Sequence, residues 1–357
     1  MTYALIGCGR IARHHIDAVL ANNLNIIALC DVDTKNAHTL AEMSNINPSF
    51  FTDYMDMLNS CKPDLVAIAT PSGNHTKIAL DCIAMGANVL IEKPVSLSIE
   101  DADEIIKAAK EKGVVVGACH QNRFNRSVQK LKEAVDTGRF GQIFHITANI
   151  RWNRNKNYYD QAKWRGTWAQ DGGCLMNQCI HNIDLLRWIM GSEAIEVFSY
   201  TKNFCHPYIE AEDFGVGVVK FANGGIGIIE GTVNVFPKNL EETLYVFGER
   251  GTVKLGGASV NRIDEWIFED GLDCLDDVRR EFSETPPDVY GFGHTPLYRD
   301  LINAIKYKSE PSVTALEGKK SMELILAMYE SSFEGKPIQL PLKNVSTLNY
   351  IGGHHAV

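Results

Sequence analysis

No stretch of the chain approaches the ~18 uninterrupted apolar residues that a membrane span requires, although 45% of its 357 residues are apolar. Basic charge is also scarce. Lys and Arg number 35 against 44 Asp and Glu, a formal charge of -9. Such a chain has no general attraction for nucleic acid or an anionic membrane, and only a local basic pocket is left to hold a small anion. Gly and Pro together make about 11% of the residues, an ordinary globular share that excludes collagen-like repeats and wholesale disorder. The nine cysteines are odd in number, and most fall inside apolar or helical patterns. A disulfide framework is therefore not expected in a chain long enough to build its own core. Cys174 and Cys179 have no partner pair at zinc-finger spacing, so no metal site is read from the sequence. The opening segment Met1 to Gly7 reads as a first strand, not a secretory leader. Together with the free thiols, that points to the cytoplasm.

What is present is an alternation of two periods. Short apolar runs at Tyr3–Ile6, Asn25–Cys30, Leu65–Ala69, Asn88–Ile91 and Val114–Ala118 read as strands. Helical spacing intervenes over Arg10–Asn22, Thr76–Met85 and Ile99–Glu111. Strands alternating with helices imply parallel βαβ units, and near-continuous apolar strands imply a sheet covered on both faces. After about residue 122 the rhythm changes. A helix over Ser127–Thr137 leads to a long strand, Gln142–Trp152, then an aromatic loop and a helix over Leu175–Met190. A series of strands follows with turn signals between them, and helices near Pro296–Lys306 and Glu317–Phe333 close the pattern. The reading is an α/β chain: a dinucleotide-binding domain over 1–122, a second α/β domain with a large open, mostly antiparallel sheet over 123–340, and a tail over 341–357.

Gly7-Cys8-Gly9-Arg10-Ile11-Ala12 follows the first strand and opens a helix. Gly7 suits the tight turn, Gly9 lets backbone approach a pyrophosphate, and the helix start at Arg10 and Ile11 offers free amides to it. The second strand ends at Asp31, 22 positions after Gly9. An acidic side chain there binds ribose hydroxyls and repels a 2′-phosphate, which selects NAD over NADP. Arg10 fits a phosphate contact and a solvent-facing residue equally. Two more strand ends, Thr70-Pro71-Ser72-Gly73-Asn74-His75 and Glu92-Lys93-Pro94, lie where open α/β sheets bind ligands. Asn74 and His75 read equally as groups facing the cofactor and as plain capping and surface residues.

The second domain carries Asn177, His181 and Asp184, which share one face if the segment is α-helical. A neutral histidine there suits proton abstraction from an alcohol, with a packed core histidine as the alternative.

These motifs, with Ala67-Ile68-Ala69-Thr70-Pro71 and the Gly173 to His181 helix entry, resemble the glucose-fructose oxidoreductase, inositol dehydrogenase and MocA family across essentially the whole chain. The resemblance implies a Rossmann domain and an α/β domain whose open sheet forms a dimer or tetramer interface. It implies that Lys93 and His181 act on the reacting carbinol. Many members have aspartate four residues before the histidine where this chain has Asn177, which orients but cannot accept a proton. It also implies NAD contacts at Gly7, Gly9, Arg10, Ile11, Asp31, Thr70, Asn74, His75, Glu92, Lys93 and Gln121.

A finer pattern, His120-Gln121-Asn122-Arg123-Phe124, Arg151-Trp152-Asn153-Arg154, Tyr158-Tyr159-Asp160, Trp164-Arg165-Gly166-Thr167-Trp168 and Asn177-Gln178-Cys179-Ile180-His181, is similar to the UDP-N-acetyl-2-amino-2-deoxyglucuronate 3-dehydrogenases of bacterial surface polysaccharide synthesis. That branch implies a UDP-sugar acid held by Lys93, Arg123, Arg154, Tyr158, Tyr159, Arg165, Asn177, Gln178 and His181, with 2-oxoglutarate as an acceptor that regenerates NAD. Guanidinium forks suit its diphosphate and carboxylate. Trp152, Tyr158, Tyr159, Trp164 and Trp168 suit ring stacking or a subunit interface. Two other readings stay open: a dehydrogenase of another sugar or inositol, and a non-catalytic NAD-binding regulator.

Overall fold

A computed structural model describes residues 1–352; the last part of the expected 341–357 tail, 353–357, lies outside the described residues. The chain begins β1 (Thr2–Ile6), α1 (Ala12–Ala21), β2 (Asn25–Cys30), α2 (Thr34–Ser44), β3 (Ser49–Phe51), α3 (Tyr54–Cys61), β4 (Leu65–Ile68), α4 (His75–Ala84), β5 (Asn88–Ile91), α5 (Ile99–Lys112) and β6 (Val116–Ala118). It continues α6 (Arg126–Asp136), β7 (Ile143–Arg151), α7 (Lys156–Asp160), α8 (Ile180–Met190), β8 (Ala194–Lys202), β9 (Phe214–Phe221), β10 (Ile226–Thr232), β11 (Glu241–Gly248), β12 (Gly251–Gly256), β13 (Arg262–Phe268) and α9 (Leu275–Phe282). Last come α10 (His294–Tyr307), α11 (Ala315–Glu334) and β14 (Ile338–Gln339).

Two compact units divide these elements: 1–120 with 294–319, and 121–293 with the described residues from 320 onward. The first unit holds a six-stranded sheet in the order β3-β2-β1-β4-β5-β6, every pair parallel. Its central strands are fully buried, with Leu65, Val66, Ala67 and Ile68 at 0% exposure, because helices cover both faces. The α2, β3 and α3 elements are absent from the sequence reading; polar Asn, Asp and Ser residues between Asp31 and Ser60 mask their short apolar stripes. Asp33 and Asp53 cap the two helices, accepting from Lys35 N and from Met55 N and Asp56 N.

The 123–340 boundary drawn from the sequence differs from the structure in one respect. Residues 294–319 belong to the first unit. Asn22 Nδ2 donates to Thr295 O at 3.0 Å, the Tyr3 and Tyr298 hydroxyls lie 2.9 Å apart, and Gly117 bridges Thr314. Periodicity finds such a helix but not its partner. The tail is likewise part of the second unit up to Tyr350, whose ring is 1% exposed and packs on Trp168 and Tyr329.

The second unit is built on an eight-stranded sheet, β13-β12-β11-β7-β10-β9-β8-β14. Only β7 and β10 pair in parallel; the other pairs are antiparallel. One face is apolar and sealed: Ile146, Ala148, Val197, Val219, Ile229, Leu244 and Val246 are at 0% exposure. The alternating residues Tyr200, Val218 and Ile228 are exposed, and register aligns Phe198, Val218 and Ile228 in one row across β8, β9 and β10. Among the described residues no helix is long and apolar enough to cross a membrane.

Candidate active site

In the first unit the turn between β1 and α1 has the shape a dinucleotide requires. Gly7 sits at φ +93°, and a Cβ there would meet Ala69 O at 2.5 Å, so only glycine fits. Gly9 has open space where a Cβ would stand, and Gly9 and Arg10 are exposed. Ile11, at the N-cap of α1, makes no side-chain cap; Ala12 and His14 N–H close onto Gly9 O and Ile11 O, so a phosphate would be met by the amides of the glycine turn ahead of them. Asp31 does more than wait for a ribose. Its Oδ2 accepts Cys8 N–H at 2.8 Å, and Oδ1 accepts Asp33 N–H at 2.9 Å. The carboxylate thus ties the end of β2 to the glycine turn. Open space above Gly9, uncapped amides and a half-exposed carboxylate fit NAD.

The other two strand ends of this unit are joined by His75. Its Nδ1 lies 2.8 Å from Pro94 O and its Nε2 3.0 Å from Thr70 O. Burial pushes its pKa below the usual histidine value, so this imidazole positions the two loops and does not present itself to solvent. Asn74 occupies the N-cap of α4 without a side-chain capping bond and is exposed. Glu92 turns its carboxylate inward, 2.9 Å from His15 Nε2. Lys93 is half-buried and its peptide bond to Pro94 is cis.

In the second unit the expected polar stripe divides. Leu175–Cys179 is a π-helical turn that passes into α8, and such insertions shift side-chain register at functional sites. His181 and Asp184 face the turn at Gln121–Phe124. His181 Nε2 stands 3.5 Å from Gln121 Nε2. Asp184 accepts from Arg123 Nε at 2.7 Å and Nη2 at 2.6 Å, and from Ser321 Oγ at 2.6 Å. Asn177 faces elsewhere, donating its amide to Asp171 Oδ1. Arg123, expected at the substrate, is 2% exposed and its guanidinium is held by Asp184, a buried charge pair of the fold itself. Arg151 is likewise held, by Glu230 and Glu241.

Most of the remaining expected substrate residues do come together. Arg154 Nε donates to Gln178 Oε1 at 2.9 Å, while Gln178 Nε2 donates to Tyr158 Oη and Asn177 Oδ1, each at 3.0 Å. The Arg154 and Arg165 guanidinium carbons lie 5.1 and 4.1 Å from the Tyr158 ring centre, a cation–π arrangement. Two half-buried cations beside amides have the chemistry to receive a carboxylate or phosphate. Tyr159 is more enclosed, packed against Tyr158, His206 and Tyr208. Burial raises both phenols above their ordinary pKa, so they remain protonated. Trp168 is neither a stacking platform nor surface; it is 1% exposed and packs on Tyr329.

Three carboxyls absent from the sequence-based site matter here. Asp171 accepts from Asn177 and from Gly166 N–H at 2.6 Å. Glu212 accepts Leu175 N–H at 2.7 Å and occupies the space where a Gly173 Cβ would stand, fixing the Asp171-Gly172-Gly173 turn. Burial raises its pKa well above the carboxylate range. Burial also pushes Glu242 up to about 8, against the opposing charge of Arg154. Asp171 adjoins a glycine pair visible in the sequence; nothing local marks Glu212 or Glu242.

Comparison with known proteins agrees with both units. Residues 1–120 match the family model described as an oxidoreductase family, NAD-binding Rossmann fold. Residues 132–340 match its C-terminal alpha/beta domain. The WlbA dehydrogenase from Bordetella pertussis, solved in complex with NADH and UDP-GlcNAcA, is 38% identical, with a TM-score of 0.89 over 96% of this chain and 98% of that one. The WlbA dehydrogenase from Chromobacterium violaceum, solved with the same two ligands, is 36% identical, with a TM-score of 0.86 over 96% of each chain. Myo-inositol 2-dehydrogenase from Thermotoga maritima is 24% identical over 95% of this chain and 98% of that protein. The glycine turn, the Asp31 anchor and both matched domains lead to one conclusion beyond the fold: this chain belongs to the GFO/IDH/MocA family of NAD-binding oxidoreductases.

Proposed function

We propose that the protein is an NAD-dependent dehydrogenase that oxidises the C3 hydroxyl of UDP-N-acetylglucosaminuronic acid to the 3-keto sugar, in bacterial surface polysaccharide synthesis. The observation that carries this reading is the cluster of Arg154, Tyr158, Arg165, Asn177 and Gln178, two cations set among amides and an aromatic ring. It suits a substrate with separate anionic and sugar portions, and it is supported by likeness to two dehydrogenases solved with UDP-GlcNAcA. A plain polyol has no anionic group for such a surface.

Bound NAD supplies the acceptor for the hydrogen that leaves carbon. Gly7, Gly9, the Arg10 and Ile11 amides and Asp31 hold it, with Thr70, Asn74 and Gln121 as further contacts. His181 takes the hydroxyl proton on a ring nitrogen. Lys93 hydrogen-bonds the same oxygen and stabilises its developing negative charge. Asn177, a carboxamide and so no base, orients the substrate or the active-site groups, with its NH2 donated to Asp171. We place the enzyme in the cytoplasm, with 2-oxoglutarate as the acceptor that reoxidises the cofactor in place. We also assign the exposed sheet face, with Tyr200, Val218 and Ile228, to a contact between copies in a dimer or tetramer.

The test is NADH formation from UDP-N-acetylglucosaminuronic acid under single-turnover conditions, with 2-oxoglutarate added in a parallel arm and product NMR to locate the ketone. A ketone at C3 is expected. Oxidation at another carbon refutes the assignment. Inertness toward the nucleotide sugar with rapid oxidation of free inositol moves the protein to the polyol branch.

A further inference from the structure

Four side chains from distant points of the sequence meet inside the first unit: His15 of α1, Glu92 at the end of β5, Cys119 just beyond β6, and His294 at the start of α10. One ligating atom from each lies within 4.8 Å of the other three, and all four residues are buried. His294 is the informative member. Both of its ring nitrogens are buried without a hydrogen-bond partner, whereas a buried imidazole ordinarily satisfies at least one of them. Glu92 poses the complementary problem, since a buried carboxylate calls for a compensating positive charge. One divalent cation answers both.

We propose that His15, Glu92, Cys119 and His294 form a zinc site. Two nitrogens, one carboxylate oxygen and one thiolate are a donor set zinc accepts, and the two negative ligands balance its charge. Bonds of ~2.0–2.3 Å place tetrahedral ligand atoms ~3.3–3.8 Å apart, so the widest pair in the cluster closes by about 1 Å through side-chain rotation. The surrounding groups are arranged as metal ligands require. His15 Nε2 lies 2.9 Å from Glu92 Oε1 and Nδ1 2.7 Å from the Tyr298 hydroxyl; with Nε2 on the metal, the ring's one proton sits on Nδ1 and is donated to that hydroxyl. Glu92 Oε2 accepts Lys93 N–H at 3.2 Å. On binding, the Cys119 thiol proton leaves to solvent. All four positions are filled by the protein, which makes the site closed and structural. It fastens α10, which returns from the far end of the sequence, to α1 and to the ends of β5 and β6. The positions 15, 92, 119 and 294 contain no ligand pair at motif spacing, which is why the sequence reading gives no metal.

The experiment is metal analysis of the full chain purified without chelator, followed by removal of metal and titration with Zn²⁺ or Co²⁺ alone. One equivalent of zinc is expected, with Co²⁺ producing the strong visible bands of a four-coordinate site and a thiolate charge-transfer band. C119S should lose that band, H294A should weaken uptake at least tenfold, and Zn²⁺ should raise the melting temperature of the stripped protein. Folded wild-type protein that takes up neither metal overturns the site. So does uptake unchanged in both C119S and H294A, which would place the metal elsewhere. If either variant fails to fold, the presence or absence of the thiolate band in wild-type protein with Co²⁺ decides.

Discussion

Asn177 donates its side-chain amide to Asp171, and the same carboxylate accepts the Gly166 backbone amide. The pair supplies a carboxylate beside the position where the family resemblance implies an aspartate, but from six positions earlier in the chain and already hydrogen-bonded. In N177D, two carboxylates would touch, and one would hold its proton to higher pH. A folded pKa raised above the unfolded value stabilises fully at acid pH and loses that contribution as pH rises. N177D should therefore melt close to wild type near about pH 5 and several degrees lower near about pH 8. The exchange D171N/N177D restores an amide–carboxylate pair and should recover most of the loss. Equal melting of N177D and wild type at both pH values would show that the contact carries no energy.

Asp31 binds the Cys8 and Asp33 backbone amides as well as facing the cofactor side of the fold. D31A should weaken NAD binding by ~10- to 100-fold, the scale of one or two hydrogen bonds to a charged group, and narrow the preference over NADP. It should also lower stability, because the glycine turn loses its anchor. Calorimetric titration of both dinucleotides against D31A and D31N separates the effects. Unchanged discrimination against NADP would remove the charge argument.

The row of half-buried Phe198 with exposed Val218 and Ile228 sits at the middle of the open face. V218K places an ammonium there without touching the sealed side, where neighbouring Val219 is at 0% exposure. Sedimentation should show wild type as a dimer or tetramer and V218K shifted toward monomer, with its circular dichroism intact. A wild-type monomer, or a V218K assembly of unchanged size, would assign this face to something other than self-association.

H181A should keep NAD affinity and lose ~10²- to 10⁴-fold in turnover, the range for a positioned acid–base group. Near-normal turnover would remove His181 as the base.

Much of this was readable from the residues. Gly7, Gly9 and Asp31 announce themselves because their chemistry is local: a turn, an approach, a strand end. Arg154, Tyr158, Arg165, Asn177 and Gln178 lie together in the structure, although spacing alone does not show that Arg154 and Tyr158 meet through Gln178. The failures are mostly non-local. Whether a charge is available depends on a partner far along the chain, as with Arg123 and Asp184, 61 positions apart. The π-turn at Leu175–Cys179 also defeats any argument built on a 3.6-residue period. Helix α10 looks like any amphipathic helix until Tyr3 and Asn22 are seen to receive it.

Glu242 gives the sharpest prediction about pH. Its carboxyl is 2% exposed; Oε1 accepts Asn122 Nδ2 at 3.3 Å, and Oε2 has no partner. Burial pushes its pKa up to about 8 from an ordinary 4.5, with Arg154 acting in the opposite direction. Between those two values the folded chain holds a proton that the unfolded chain has released. The contribution of this group to stability is whole below the unfolded pKa and is lost as pH rises through the folded one. Glutamine keeps the shape and hydrogen-bonding of the protonated acid but never ionises. E242Q should therefore match wild type near about pH 4.5 and exceed it increasingly as pH rises, by at most ~5 kcal/mol once both states of the wild type are ionised. Urea unfolding at several pH values reads this directly. Parallel stability curves for the two proteins would mean that Glu242 ionises normally, through water or the Arg154 charge, and is not a protonated neighbour of Arg154.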